Sequence, residues 1–163
     1  MNSRAKTYPD PMLSIVIPVH NEAEVIPTLL NRLTQVTRTL DGPVELLFVD
    51  DGSRDNSVAL LLQARRRHPG IRVLQLSRNF GKEAAVSAGL QHARGEAVIL
   101  MDADLQDPPE RIPDMLAAWR KGADVVLMKR RTRAGESWLK RLTAHLFYRL
   151  INRISDAPIP VDT

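Results

Sequence analysis

Apolar runs of strand length alternate with helical patterns along most of the chain, and no other feature narrows the possible folds as much. The runs cover residues 13–19, 44–49, 71–76, 96–101 and 123–128. Between them the spacing predicts helices over 22–38, 57–67, 83–93 and from Pro109 to about Lys121. Local stops agree with this division: Asn21 opens the first helix and Pro27 fits in its first turn, His68-Pro69-Gly70 ends the second, Gly81 precedes the third, and Gly122 closes the fourth. Strands that are apolar on both faces and separated by helices predict an α/β fold, with a mainly parallel central sheet flanked by helices.

At 163 residues and 44% hydrophobic composition, the chain has material for one domain with a proper core. It contains no cysteine, so disulfides and thiolate metal sites are excluded and any metal must sit on oxygen or imidazole. No apolar run reaches the roughly 20 residues of a membrane helix, and the opening MNSRAKTYPDP lacks a signal-peptide core, so the sequence reads as soluble and cytoplasmic as written. Charge is unevenly spread. Ten Lys and Arg lie between Arg120 and Arg153 against Asp124 and Glu136, which sets a basic segment of +8 on a body of −4.

Ligands of open parallel sheets bind at the carboxyl ends of the strands. Three polar clusters fall there: Pro18-Val19-His20-Asn21-Glu22, Asp50-Asp51-Gly52-Ser53, and Asp102-Ala103-Asp104-Leu105-Gln106. Carboxylates crowded on one rim repel unless a cation or donors lie between them. In extended or turn backbone, Asp102, Asp104 and Gln106 can present oxygens to one ion, and an all-oxygen set selects magnesium or manganese, which complete their shells with water and substrate phosphates. The structural alternative is a set of turn and N-capping carboxylates before the helix at Pro109, with Asp107 the best candidate for that role.

The segments SIVIPVHNEAE, LLFVDDGSRDNS and LSRNFGKEAAVSAGLQHARGEAVILMDADLQDPPE together resemble family 2 glycosyltransferases of the GT-A fold, with a Rossmann-like nucleotide-binding half. More narrowly, they resemble the polyprenyl-phosphate sugar transferases, which include dolichol-phosphate mannose synthases and bacterial undecaprenyl-phosphate glucosyl- and aminoarabinose-transferases. The resemblance runs from Met12 to the end of the chain. It implies transfer of a sugar, with inversion, from a nucleoside diphosphate sugar to a polyprenyl phosphate at the cytoplasmic face of the inner membrane, with UDP favoured as the donor nucleotide and magnesium or manganese as cofactor. Position by position, Pro18, Val19, His20 and Glu22 match a nucleotide-contacting segment, although many relatives carry an aromatic residue where His20 stands. Asp50 and Asp51 match a pair that binds base and ribose. Asp102, Ala103, Asp104 and Gln106 match the diphosphate and metal motif, and Arg130 matches an arginine facing the diphosphate. An anionic lipid phosphate needs no strong general base, and no obvious one stands in the sequence.

Lys82 has two readings, a phosphate contact or a helix-dipole partner. In WLKRLTAHLFYRLINRI, the residues Leu139, Leu142, Leu146, Leu150 and Ile154 form an apolar stripe, with Trp138 and Phe147 alongside and Lys140, Arg141 and Arg149 largely off it. Periodicity alone favours a surface helix packed on its own domain. The resemblance turns the reading toward a helix docked on an anionic membrane surface. It also divides the chain into an N-terminal extension (1–11), a nucleotide-sugar-binding domain (12–135) and a basic interfacial helix with tail (136–163). Relatives continue with a Gly-Asp-Phe-Arg segment and usually two membrane helices, so the donor half is expected here and much of the acceptor side is not. Rival readings are a nucleotidyltransferase, which would consume a nucleoside triphosphate, and a nucleotide-sugar-binding module without turnover. Nucleic-acid binding is disfavoured because no aromatics interleave the basic residues for base stacking, and an oligomer is left open.

Overall fold

The computed structural model describes residues 12–128. The chain divides into two compact units, 1–123 and 124–163. Within the first, four parallel strands form one sheet in the order β3-β2-β1-β4: β1 (Leu13–Val19), β2 (Val44–Asp50), β3 (Ile71–Gln75) and β4 (Ala97–Leu100). The helices between them are α1 (Ile26–Thr37), α2 (Ser57–Arg67) and α3 (Lys82–His92), and a 3₁₀ turn at Pro109–Arg111 leads into α4 (Ile112–Arg120).

The period-two alternation of β1 sends Leu13, Ile15, Ile17 and Val19 to one face of the sheet. There they meet Ile26, Leu29, Leu33 and Val36 of α1, Leu61 of α2 and Ile112 of α4. The 3- and 4-residue spacing of the α1 set makes one stripe, and each fully buried side chain contributes roughly 2 kcal/mol. On the other face, Val16, Leu47 and Val49 pack on Ala85 of α3. Helices α1 and α2 therefore cover one side while α3 covers the other, and the winding direction reverses between β1 and β4. That reversal is the topological switch point, where side chains at the strand ends are splayed apart.

Gly89 permits the close approach of α3. A Cβ there would lie 2.3 Å from Val16 Cγ1 and 3.1 Å from Val49 Cγ2, both on stiff β-branched side chains in the core. Gly89→Ala is thus expected to destabilise the protein by about 1 kcal/mol, overpacking of up to about 3 kcal/mol being partly offset by the better helix propensity of alanine. Chemical denaturation reads the difference, and an increase in stability would show that α3 yields more easily than this packing implies.

Strands β1 to β3, and the helices, start or stop within a few residues of their expected positions, and α2 spans 57–67 as expected. Three expectations need correction. Residues 123–128 form no strand: Val125 and Leu127 are 75% and 82% exposed. Their apolar run has strand length, but a strand exists only through its hydrogen-bonded neighbour, and among the described residues the sheet ends at β4. Second, β4 is not apolar and buried on both faces. Val98 and Leu100 pair with Ser14 and Val16 and so point to the α3 side, yet α3 lies over β1 and β2, leaving them 41% and 48% exposed. Third, Asn21 does not open α1. The helix starts four residues later beside Val25, with Pro27 in its first turn, and Asn21 instead adopts φ 58°, a left-handed conformation asparagine tolerates. Arg130 and the segment expected to form a basic helix, with Trp138, Lys140, Arg141, Phe147 and Arg149, lie outside the described residues.

Candidate functional site

The ladder between β1 and β4 stops at Val16 paired with Leu100, closed by a bond from Met101 N–H to Val16 O. Even-numbered residues of β1 face β4 for hydrogen bonding, so the next donor would be the N–H of residue 18, which is proline and has none. The two strands part there. A cleft of about 310 Å³ opens between them, lined on one side by Pro18, Val19, His20 and Glu22 and on the other by Asp102, Ala103 and Asp104. Asp51 and Lys82 line it as well, so three of the polar segments singled out in the sequence meet in one place. Asn79, Gly81 and Ala85 complete the wall. The Asn79–Lys82 stretch was legible as a motif, but nothing local to it showed that Asn79 and Ala85 would face the cleft.

The two aspartates that end β2 are buried and turned toward backbone donors. Asp50 is fully buried and receives the Ser53 N–H at 3.3–3.4 Å, which shapes the turn after the strand. Asp51 is 3% exposed; its two oxygens accept the Phe80 N–H at 2.7 Å and the Gly81 N–H at 2.9 Å. Gly52 lets this loop come so near. At φ 67°, a Cβ on it would lie 2.5 Å from the Arg78 carbonyl carbon. The Arg78 guanidinium stacks over the exposed Phe80 ring at 4.7 Å from its centre.

His20 joins the same loops. Its Nδ1 lies 2.8 Å from the Asp51 carbonyl oxygen, which can only accept, so Nδ1 carries the proton. Nε2 is then an acceptor, 3.0 Å from Asn21 Nδ2 and 3.1 Å from Asn79 Nδ2. Both amide orientations are fixed from their far sides: Asn21 Oδ1 accepts the Arg54 N–H, and Asn79 Oδ1 accepts the Gly81 N–H. The imidazole is therefore a neutral bracket between the β1, β2 and β3 loop ends, with Asn21 N–H bound to Ser53 Oγ on the same side. Asp55 strengthens the neighbouring turn by accepting the N–H groups of Ala23 and Ser57. Burial opposes its ionisation, but the bonds from Ser57 and Ala23 outweigh that and hold its carboxyl below the usual range.

The β4 side differs in kind. Asp102 is held by a flexible side chain, Lys82, whose Nζ lies 2.7 Å from both carboxylate oxygens. Asp104 Oδ1 accepts the Gln106 N–H at 2.9 Å, and Leu105 between them sits at φ 61°, a strained conformation for a bulky residue. This turn places Gln106 outside the lining of the cleft, while Asp102 and Asp104 stay within it. Among the described residues no three His, Cys, Asp or Glu side chains gather as a metal cage. Two accessible carboxylates suit magnesium or manganese, which keep several waters and substrate phosphates in their shells, better than ions that require a full protein cage. The residue immediately before the 3₁₀ turn is Pro108, so Asp107 stands one position ahead of the capping place.

Residues 14–163 match the family described as glycosyl transferase family 2. A glycosyltransferase of Synechocystis, itself uncharacterised, is 46% identical over 151 residues, 93% of this chain and 48% of that protein. The bactoprenol glucosyl transferase of Shigella phage SfV is 44% identical over 147 residues, covering 90% of this chain and 48% of its own. This chain thus spans about half the length of the curated relatives it matches. Among solved structures, glucosyl-3-phosphoglycerate synthase from Mycobacterium tuberculosis, in complex with Mn2+, UDP and glucosyl-3-phosphoglycerate, superposes with a TM-score of 0.61 at 25% identity, over 93% of this chain and 55% of the other. With its parallel sheet, its cleft at the switch point and a family match over nearly the whole length, the chain belongs to glycosyl transferase family 2.

Proposed function

We propose that this chain forms the donor-binding half of an inverting glycosyltransferase that moves a sugar from a nucleoside diphosphate, UDP by preference, to a polyprenyl phosphate at a membrane surface. The observation that carries the reading is the cleft at the end of β1 and β4, where Asp102, Asp104 and Lys82 face the segment Pro18 to Glu22. Similarity to a bactoprenol glucosyl transferase supports the lipid acceptor, and the UDP complex of the mycobacterial neighbour supports the donor. A phosphate oxygen of the acceptor attacks the anomeric carbon as its bond to the diphosphate breaks. Asp102 and Asp104 would hold magnesium or manganese; when bound, that ion neutralises charge growing on the diphosphate leaving group. Lys82, 2.7 Å from Asp102, adds a positive charge beside these aspartates. Arg130 belongs to the same proposal as a further cation, and the basic segment around Trp138 to Arg149 as the membrane contact.

Calorimetric titration of UDP and GDP into the 163-residue chain, with and without manganese, tests the donor site. UDP binding that strengthens with manganese and falls about tenfold in Asp102→Asn is expected, the loss of one charged ligand being worth about 1.4 kcal/mol. A nucleoside diphosphate that binds equally well without metal and in the variant would remove the metal from this reading. A preference for GDP would move the donor assignment to guanosine.

A further inference from the structure

Of the carboxylates lining the cleft, Asp51 and Asp104 are tied to backbone N–H groups, whereas Asp102 is tied to the end of a flexible side chain. That side chain belongs to Lys82, the first residue of α3. Its backbone is fixed, because Asp51 pins Phe80 and Gly81 immediately before it, while the Asp102 backbone follows from β4. Only the four-carbon stem spans the gap. The ammonium group thereby sits at the amino end of α3, where the positive end of the helix dipole disfavours a cation, and the pair is half open to solvent at 63% and 40% exposure. Such a contact is readily exchanged.

We propose that Lys82 is an internal counter-ion for Asp102, holding the carboxylate until a divalent cation takes it and then turning to the diphosphate of the donor. This rests on the reading that Asp102 holds the metal. Two opposed effects follow. In the free protein Lys82 competes with the metal, and in the loaded cleft its freed charge favours the nucleotide. Lys82 therefore makes metal and nucleotide binding more strongly cooperative than the carboxylates alone would, since each ligand compensates for a contact that the other breaks or gains.

The test is manganese binding to the 163-residue chain, read from the electron paramagnetic resonance signal of the free ion, with and without UDP, in wild type, Lys82→Met, Asp102→Asn and the double variant. Without UDP, K82M is expected to bind manganese about two- to fivefold more tightly, fivefold corresponding to the roughly 1 kcal/mol ceiling for an exposed ion pair. The gain should be absent when D102N is also present. At saturating manganese the same K82M should bind UDP several-fold more weakly, so that the enhancement of manganese binding by UDP shrinks. Lys82 is exposed, and matched melting temperatures would show that the variant is folded. If D102N weakens manganese while K82M leaves it unchanged or weaker, the counter-ion proposal is overturned and the metal reading stands. The counter-ion proposal falls in the same way if neither wild type nor K82M takes up manganese alone but UDP binding is manganese-dependent and lost in D102N. If D102N changes neither manganese nor manganese-dependent UDP binding, both ideas fall together.

Discussion

Glu45→Ala is expected to lower the unfolding free energy by about 3 kcal/mol, measured by urea denaturation near neutral pH. Glu45 lies within β2, 4% exposed, on the α3 side of the sheet and opposite Ser14. Its carboxylate accepts Ser14 Oγ–H at 2.6 Å, Arg72 Nη1 at 2.5 Å and the Arg94 N–H at 3.2 Å, and Ser14 Oγ in turn accepts the Gly95 N–H at 2.8 Å. Removing the carboxylate strands a buried hydroxyl and part of the α3-to-β4 connection. Breaking a buried ion pair costs about 3–5 kcal/mol, and the lower end applies because Arg72 is 30% exposed and can turn to water. Burial pushes the Glu45 carboxyl up, but the bonds from Ser14, Arg72 and Arg94 outweigh it, so its folded pKa lies below the ordinary value of 4.5. The stabilisation is consequently complete above that value and is lost as pH falls through the depressed folded one. A stability difference between wild type and Glu45→Gln that closes in acid is the expected signature; a pH-independent gap would mean that the charge contributes nothing.

Asp51→Ala is expected to have an effect of similar size, expressed at the cleft. Two charge-assisted bonds of about 1.5–3 kcal/mol each are lost, leaving the Phe80 N–H without its acceptor and the Gly81 N–H with Asn79 Oδ1 alone. The loop would recover part of this by moving toward water, and that motion carries Asn79 off His20 and Lys82 off Asp102. Nucleotide affinity should drop by about 100-fold, or roughly 2.7 kcal/mol, with the melting temperature lowered as well. Asp51→Asn, which keeps one acceptor, should fall between. Unchanged UDP affinity in Asp51→Ala would show that the loop is positioned by other contacts.

Much of the architecture was legible because it follows from local rules. Apolar runs bounded by glycine and proline marked β1 to β3 closely and predicted the span of α2, and the carboxyl-end rule brought Pro18, Asp51 and Asp102 to one rim before any contact was known. Failures came where a residue's role depends on a distant neighbour. Residues 123–128 have the composition of a strand but no ladder among the described residues, and Asn21 has the chemistry of a helix cap but is used to bind the loop after β2. Glu45, inside VELLFVD, carries no local signal of its role, because burial of a carboxylate becomes tolerable only when serine, arginine and backbone donors converge from three other segments.

The sequence by itself determined the α/β class, the parallel order of strand and helix, the family, and the end of the sheet at which the cleft opens. Those properties depend on hydrophobic periodicity, chain punctuation and motif order, all of which are read over a few residues. Tertiary structure alone decided what each carboxylate does: Asp51 secures the loop of Phe80 and Gly81, Asp104 holds its own turn, and Asp102 pairs with Lys82. A carboxylate binds whichever donor the packing brings within about 3 Å, and that distance is set by the crossover of α3 and by the proline that parts β1 from β4.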